Sequence, residues 1–321
     1  MERVMSPISS EKKTAGRLAK TKNMLYEYRY LHLMMLPALV FFVLFRYLPM
    51  YGIMIAFTRY DPIGGFWGII TAEWVGLDHF RRLFDSIFFT RILRNTLLIS
   101  MYRLVFAFPM PIILAILINE VVSVRFKRAV QTITYMPFFL SWVVVSGMII
   151  VLLSPTSGPV AAISQELGLQ PTAILSDRRF FRSILVISDI WRSIGFGSII
   201  YLAAITGIDQ EIYEAATVDG ATRIQKIFRI TLPQLGFVIS IMLILSLGRI
   251  LNENFEQIIN LYSPAVYEVA DVFETYVFRT GVLGRQHSMA AAVGLFQSTV
   301  SLVMILFCNR AARMLGYEGL W

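Results

Sequence analysis

The chain is short of the groups that carry covalent and metal chemistry. It has one cysteine, Cys308, so no internal disulfide and no thiolate metal site can form. Its three histidines, His32, His79 and His287, fall in separate segments and make no zinc-type cluster. No glycine precedes a lysine, which excludes a Walker A phosphate loop. No Gly-x-Ser-x-Gly nucleophile elbow occurs. If ATP drives this protein, another chain must bind it. Charge is also scarce. Only 16% of the 321 residues are charged, against about a quarter in soluble domains.

What is abundant is apolar sequence, at 56%, and it comes in long blocks. About 20 apolar residues cross a bilayer as a helix. Six blocks meet that length or come close, at about 30–57, 95–118, 129–153, 183–206, 235–251 and 289–307. The chain is therefore expected to be an all-α integral membrane protein with six crossings. A basic tail, 1–28, precedes the transmembrane domain, 29–315, and a short end, 316–321, follows it. The tail has no apolar core with a small-residue cleavage site, so it does not read as a cleaved signal. The net charge of +8 suggests nucleic acid at first sight. The charge divides by membrane side instead, and no nucleic-acid partner is expected. Six crossings put both ends on one side. The tails and connectors there hold 15 lysines and arginines, against 10 in the longer opposite loops. That side is cytoplasmic by the positive-inside rule. Asp78 to Phe89 reads as an amphipathic helix on the outer face, and 252–287 as a polar, acidic outer loop.

One polar stretch interrupts the apolar blocks on the cytoplasmic side. Within 207–233 the sequence EAATVDGATRIQKIFRITLP runs from Glu214 to Pro233. It reads as two short amphipathic helices. Asp209 can cap the first, and Gly220 can supply the positive φ that ends it. Pro233 is expected to open the next apolar run. An ordinary connector between membrane helices is the plainer alternative.

Charged groups inside hydrocarbon cost several kcal/mol and normally pair or line water. Asp189 and Arg192 share one face of the fourth block at i, i+3, next to Trp191. They form either a wall of a translocation path or a structural ion pair, and Arg103 is an equal candidate partner for Asp189. Arg249, Asn252, Asn254, Glu256 and Gln257 cluster at the outer end of the fifth block. Such groups can bind sugar hydroxyls, with Trp142 as a stacking plate, or they are a solvated helix end.

The Glu214-Ala215-Ala216, Gly220 and Ile230-Leu232-Pro233 spacing resembles the coupling loop of permease subunits of binding-protein-dependent ABC importers. The likeness extends over about residues 22–321. LVISDIWRSIGFGSIIYLAAITGID and FEQIINLYSPAVYEVADVFETYVFRTG resemble the carbohydrate permeases, in the branch that serves complex oligo- and polysaccharides. This resemblance implies a type I importer fold and alternating access. It implies a second, usually different, permease, two ATPase subunits and an extracytoplasmic solute-binding protein. ATP and magnesium would sit on the ATPases and no cofactor on this chain, which would catalyse nothing itself. Glu214, Ala215, Ala216, Asp219, Gly220, Ile230, Leu232 and Pro233 would form the ATPase-coupling site. The cargo would be a carbohydrate, with alginate or a related acidic polysaccharide as the specific expectation. The chain would lie in a bacterial inner membrane, among its lipids. The rival readings are a stand-alone secondary transporter and a membrane-embedded polysaccharide-modifying enzyme.

Overall fold

The computed structural model describes residues 27–168, 170, 172–249, 251 and 255–314. The basic tail (except Glu27 and Tyr28), Asn252, Asn254 and the C-terminal end from 315 lie outside the described residues. The chain packs as two units, Met1–Met54 and Ile55–Trp321. Among the described residues, four helices are long and apolar enough to cross a membrane. They are α1 (Arg29–Phe57), α4 (Ile87–Glu120), α8 (Arg178–Thr206) and α15 (His287–Met314).

Two further apolar stretches are bent pairs. The first is α5 (Val124–Phe139) with α6 (Trp142–Leu152), at 101°. The second is α10 (Arg223–Gln234) with α11 (Gly236–Gly248), at 59°. The span expected over 129–153 therefore contains a sharp bend. Pro137 sits in the tight turn Met136–Phe139, and Ser141 Oγ then accepts the Val144 N–H to start a new helix. Proline blocks a continuing ladder and serine offers a cap, so the break is local chemistry.

Proline acts differently in the long helices. The π turns Val43–Tyr47, Arg103–Ala107 and Ile227–Thr231 each end two residues before a proline: Pro49, Pro109 and Pro233. A proline lacks an N–H and collides with a preceding carbonyl. The wider π turn absorbs the mismatch without a sharp break. Pro233 thus closes α10 in the turn Leu232–Gln234, whereas the sequence pattern placed it at the start of the following span.

Arg103 meets Asp189, and Gly197 faces Pro111, so α4 and α8 run side by side in the same direction. The chain must return between them, and α5 with α6 provides that return. A second close approach fixes α8 against α5. A Cβ on Gly195 would overlap the Thr134 carbonyl. Helix propensity favours alanine over glycine by about 1 kcal/mol. The clash with backbone opposes it and costs about 1–3 kcal/mol. Gly195→Ala is therefore expected to lower the thermal midpoint of the purified protein. An equal or higher midpoint would refute this packing.

Outside the long helices, β1 (Thr58–Arg59) pairs antiparallel with β2 (Glu73–Trp74), and α2 (Gly65–Thr71) lies between them. α3 (Asp78–Asp85) is shorter than expected. Ser86 ends it and caps α4, accepting the Phe88 N–H at 3.2 Å. α7 (Pro159–Glu166) precedes α8.

The acidic segment before α15 is not a solvated loop. It folds into α12 (Phe255–Leu261), α13 (Tyr267–Ala270) and α14 (Phe273–Val277), which continues as a π turn over Phe278–Leu283. Ile258, Leu261, Val266 and Val272 form a core with Ile99 of α4 and with Phe181 and Leu185 of α8. Phe273 and Tyr276 join Leu83, Ile92 and Val293 in another. Asp271 is wholly buried beneath them. It accepts from Arg279 Nη2 at 2.6 Å, Thr275 Oγ1 at 2.8 Å and Arg91 Nη2 at 3.4 Å. That hydrogen bond holds the Arg279 guanidinium above its ordinary pKa. Asn95 ties the knot to α4 by donating to the carbonyls of Glu268 and Asp271, while Arg182 of α8 donates to Asn95 Oδ1.

Candidate functional site

Two features stand at different levels of α8. At its Thr206 end is an exposed elbow. Asp209 caps α9 (Gln210–Val218) by accepting the Glu211 N–H at 3.0 Å. Gly220 has φ +74°, as its sequence position anticipates. The Ala221 N–H reaches back to the Ala216 carbonyl at 2.9 Å, and the Gly220 N–H to Thr217 at 3.1 Å. Those two bonds are a Schellman closure, which requires the left-handed residue. Thr222 and Gln225 then form a reciprocal capping box that starts α10.

Side chains lock the two arms together. Lys226 Nζ donates to Thr217 Oγ1 at 2.6 Å, and Tyr213 and Thr231 share a hydrogen bond of 2.8 Å. The elbow therefore has one shape. Its outer surface presents Glu214, Ala215, Asp219 and Gly220 beside exposed Val218, Ile224 and Phe228, with Val218 89% exposed. Ala216 and Ile230 are half-buried and Pro233 is exposed. Leu232 turns inward. With Leu235 it packs against Tyr201 and Ile205 of α8 and Ile112 and Ala115 of α4. The expected coupling residues thus divide into an outward face and an inward anchor.

Above the elbow lies a cavity of about 300 Å³ between α4, α8 and α11. Its α8 wall is Asp189, Ser193, Gly197 and Tyr201, at strict intervals of four, which places them in one stripe. Arg103 and Ser100 face it from α4, and Ser246 and Arg249 from the end of α11. Asp189 meets Arg103 Nε at 3.8 Å. Arg103 Nη2 also donates to Gln257 Oε1, and the Gln257 amide donates to Leu185 O and Ser188 Oγ, each at 2.8 Å.

Several expected path residues are placed elsewhere. Arg192 is not the partner of Asp189. It donates to the Leu140 carbonyl at 3.0 Å and lies over the rings of Phe138 and Trp142. Leu140 sits at the break between α5 and α6, where carbonyls lack a continuing helical ladder, and the Arg192 guanidinium of α8 takes its carbonyl. Trp142 is buried in this cluster, so it is no open stacking plate. Gln257 is wholly buried and holds Arg103. Trp191 and Glu256 are exposed and do not line the cavity. Of the seven path candidates among the described residues, Asp189 and Arg249 reach the cavity. Sequence reading missed Ser193, Tyr201 and Ser246. The four-residue stripe on α8 was the available signal. Among the described residues, no group of three or more His, Cys, Asp and Glu side chains is placed to hold a metal ion.

Residues 107–315 match the model of the family described as "Binding-protein-dependent transport system inner membrane component". That match holds most of the cavity and the whole elbow. The chain belongs to this family. It is thus a membrane-embedded permease subunit, in which the chemistry of ATP hydrolysis falls to separate chains. The permease is 42% identical to the polygalacturonan/rhamnogalacturonan transport system permease protein YteP of Bacillus subtilis (strain 168). That alignment covers 92% of each chain. It is 40% identical to Protein LplB of the same organism, over 96% of each. Among solved structures, it resembles a chain of a bacterial ABC transporter involved in the import of the acidic polysaccharide alginate. The TM-score is 0.86 at 43% identity, covering 92% of this permease and 99% of that chain. A structure of a bacterial alginate ABC transporter in complex with an alginate pentasaccharide-bound periplasmic protein matches with a TM-score of 0.85.

Proposed function

We propose that this permease moves an acidic oligo- or polysaccharide, alginate or a related uronate chain, inward across a bacterial inner membrane by alternating access. Each bent pair counts as one crossing in this reading, so six spans place both ends and the elbow in the cytoplasm. The elbow docks on an ATPase subunit that carries ATP and magnesium. A second permease completes the pore, and a solute-binding protein delivers cargo from outside. ATP binding closes the ATPase pair, and this closure supplies the difference in free energy between inward-open and outward-open states.

The observation that carries the reading is the placement of elbow and cavity on one helix. α8 is continuous from Arg178 to Thr206. Tyr201 of the cavity wall lies five residues from its end, about 8 Å at 1.5 Å per residue. Leu232 and Leu235 pin α10 to that same turn. A push on the elbow therefore reaches the cavity wall through packed side chains rather than through a flexible loop. The cargo class is supported by relatives whose names specify polygalacturonan, rhamnogalacturonan and alginate. The two arginines of the cavity agree with it.

The test is reconstitution with the ATPase, the sister permease and the binding protein. Alginate oligosaccharides are expected to stimulate ATP hydrolysis. Glu214→Lys is expected to abolish stimulation and ATPase co-purification while the chain still inserts. Sugar uptake by this purified chain alone would overturn the proposal.

A further inference from the structure

We propose that the Tyr201 hydroxyl is the inner contact for cargo: it hydrogen-bonds a hydroxyl of the sugar unit next to leave for the cytoplasm. This inference rests on the carbohydrate reading above and adds to it one residue, one atom and the chemistry of that atom.

The cavity wall changes character along its length. The half nearest the elbow is built from Phe108 and Pro111 of α4, Gly197 and Tyr201 of α8, and Met242 of α11. Gly197 faces Pro111 directly, while Phe108 and Met242 pack against the cluster that holds Tyr201. Tyr201 supplies the one side-chain hydroxyl at this level. The serines of the wall lie at least one helical turn farther from the elbow along their own helices.

Tyr201 belongs to the protein by its ring and to the cavity by its oxygen. The residue is only 3% exposed. Its ring packs with Ile205, Ile112 and Leu235, the same cluster that anchors Leu232 of the elbow. The hydroxyl makes no hydrogen bond among the described residues, yet it is not sealed inside the protein. Its opening is the cavity. Ser193, eight residues earlier in the same stripe, differs, because it donates to the Asp189 carbonyl at 2.6 Å.

A buried hydroxyl without a partner is unfavourable, whereas an apolar group of the same shape is tolerated. Phenylalanine would fill this packing position equally well. The hydroxyl therefore serves what enters the cavity rather than the packing. A phenol can both donate to and accept from a sugar hydroxyl. Apolar walls with a few placed polar groups are the usual make-up of a small-molecule site. At about 300 Å³ the cavity lies at the lower end of such sites, so it holds a short stretch of chain at a time. The contact reads a hydroxyl and not a charge. Because the ring shares its cluster with Leu232 and Leu235, movement of the elbow reaches the atom that holds the cargo.

The test compares wild type with Tyr201→Phe in the full reconstituted complex, with loaded binding protein in excess and alginate oligosaccharides as the probe. The readout is sugar imported per ATP hydrolysed, since the hydroxyl acts after delivery. Tyr201→Phe is expected to lower that ratio about three- to tenfold, the span of one neutral hydrogen bond. Its thermal midpoint is expected to equal or exceed that of wild type, because no hydrogen bond within the protein is lost. A ratio less than threefold below wild type would overturn the inference while the carbohydrate reading stands. A lowered midpoint would show that the hydroxyl serves the fold, and would overturn it too. If wild type imports no alginate oligosaccharide, the carbohydrate reading falls and this inference falls with it.

Discussion

Gly220→Pro is expected to leave the permease inserted and folded but unable to couple. Gly220 holds φ at +74°, and proline is confined near −65°. The substitution also deletes the N–H that bonds the Thr217 carbonyl and displaces the Ala221-to-Ala216 bond that closes α9. The local cost is about 3 kcal/mol or more. At 1.4 kcal/mol per factor of ten, this depopulates the native elbow about a hundredfold. Uptake and ATPase co-purification should both fall to background. Gly220→Ala is the instructive contrast. No neighbouring atom lies within 4 Å of an added Cβ, so its cost is conformational alone, about 1–2 kcal/mol. It should retain partial transport. Normal uptake by the proline variant would show that the shape of the elbow does not matter.

A second large effect is expected at the far end of α8. Asp271→Ala removes the acceptor at the centre of the knot that joins α4, α8 and α14. Asp271 is wholly buried, and its loss strands Arg91 and Arg279 beside the Thr275 hydroxyl. Breaking a buried charge pair costs about 3–5 kcal/mol. Both arginine side chains keep about a third of their surface in solvent, so the lower end applies. For a chain of 321 residues, at about 2.1 cal/mol/K per residue, that corresponds to a fall on the order of 4–5 °C in thermal midpoint. Asp271→Asn keeps acceptor oxygen for Thr275 and Arg279 and should fall less. Adding Arg279→Met to the alanine variant removes one stranded cation and should recover part of the loss. A midpoint unchanged by Asp271→Ala would mean that this knot contributes no stability.

The elbow was legible in the sequence because its determinants are local. A cap at Asp209, a left-handed glycine at Gly220, and apolar residues at helical spacing act over a few residues each. The Asp189 site was legible only in part. An i, i+3 spacing put Asp189 and Arg192 together on one face, yet the two side chains meet different neighbours. Arg103 arrives from α4 and takes Asp189, while the Leu140 carbonyl at the helix break takes Arg192. The acidic segment before α15 was misread for a related reason. Its charges look solvated one by one, but Asp271 meets arginines 180 residues away and 8 residues away in the same knot.

Sequence alone determined that the chain is a helical membrane protein and where its polar elbow lies. Length, hydropathy and turn chemistry are summed along the chain, so a linear reading captures them. The tertiary structure alone decided which arginine serves which carboxylate, that Gln257 and Trp142 are internal ties, and that Asp189 and Arg249 share one cavity. Those outcomes depend on which helices lie parallel and in what register, and close packing sets that register through contacts such as Gly195 against Thr134.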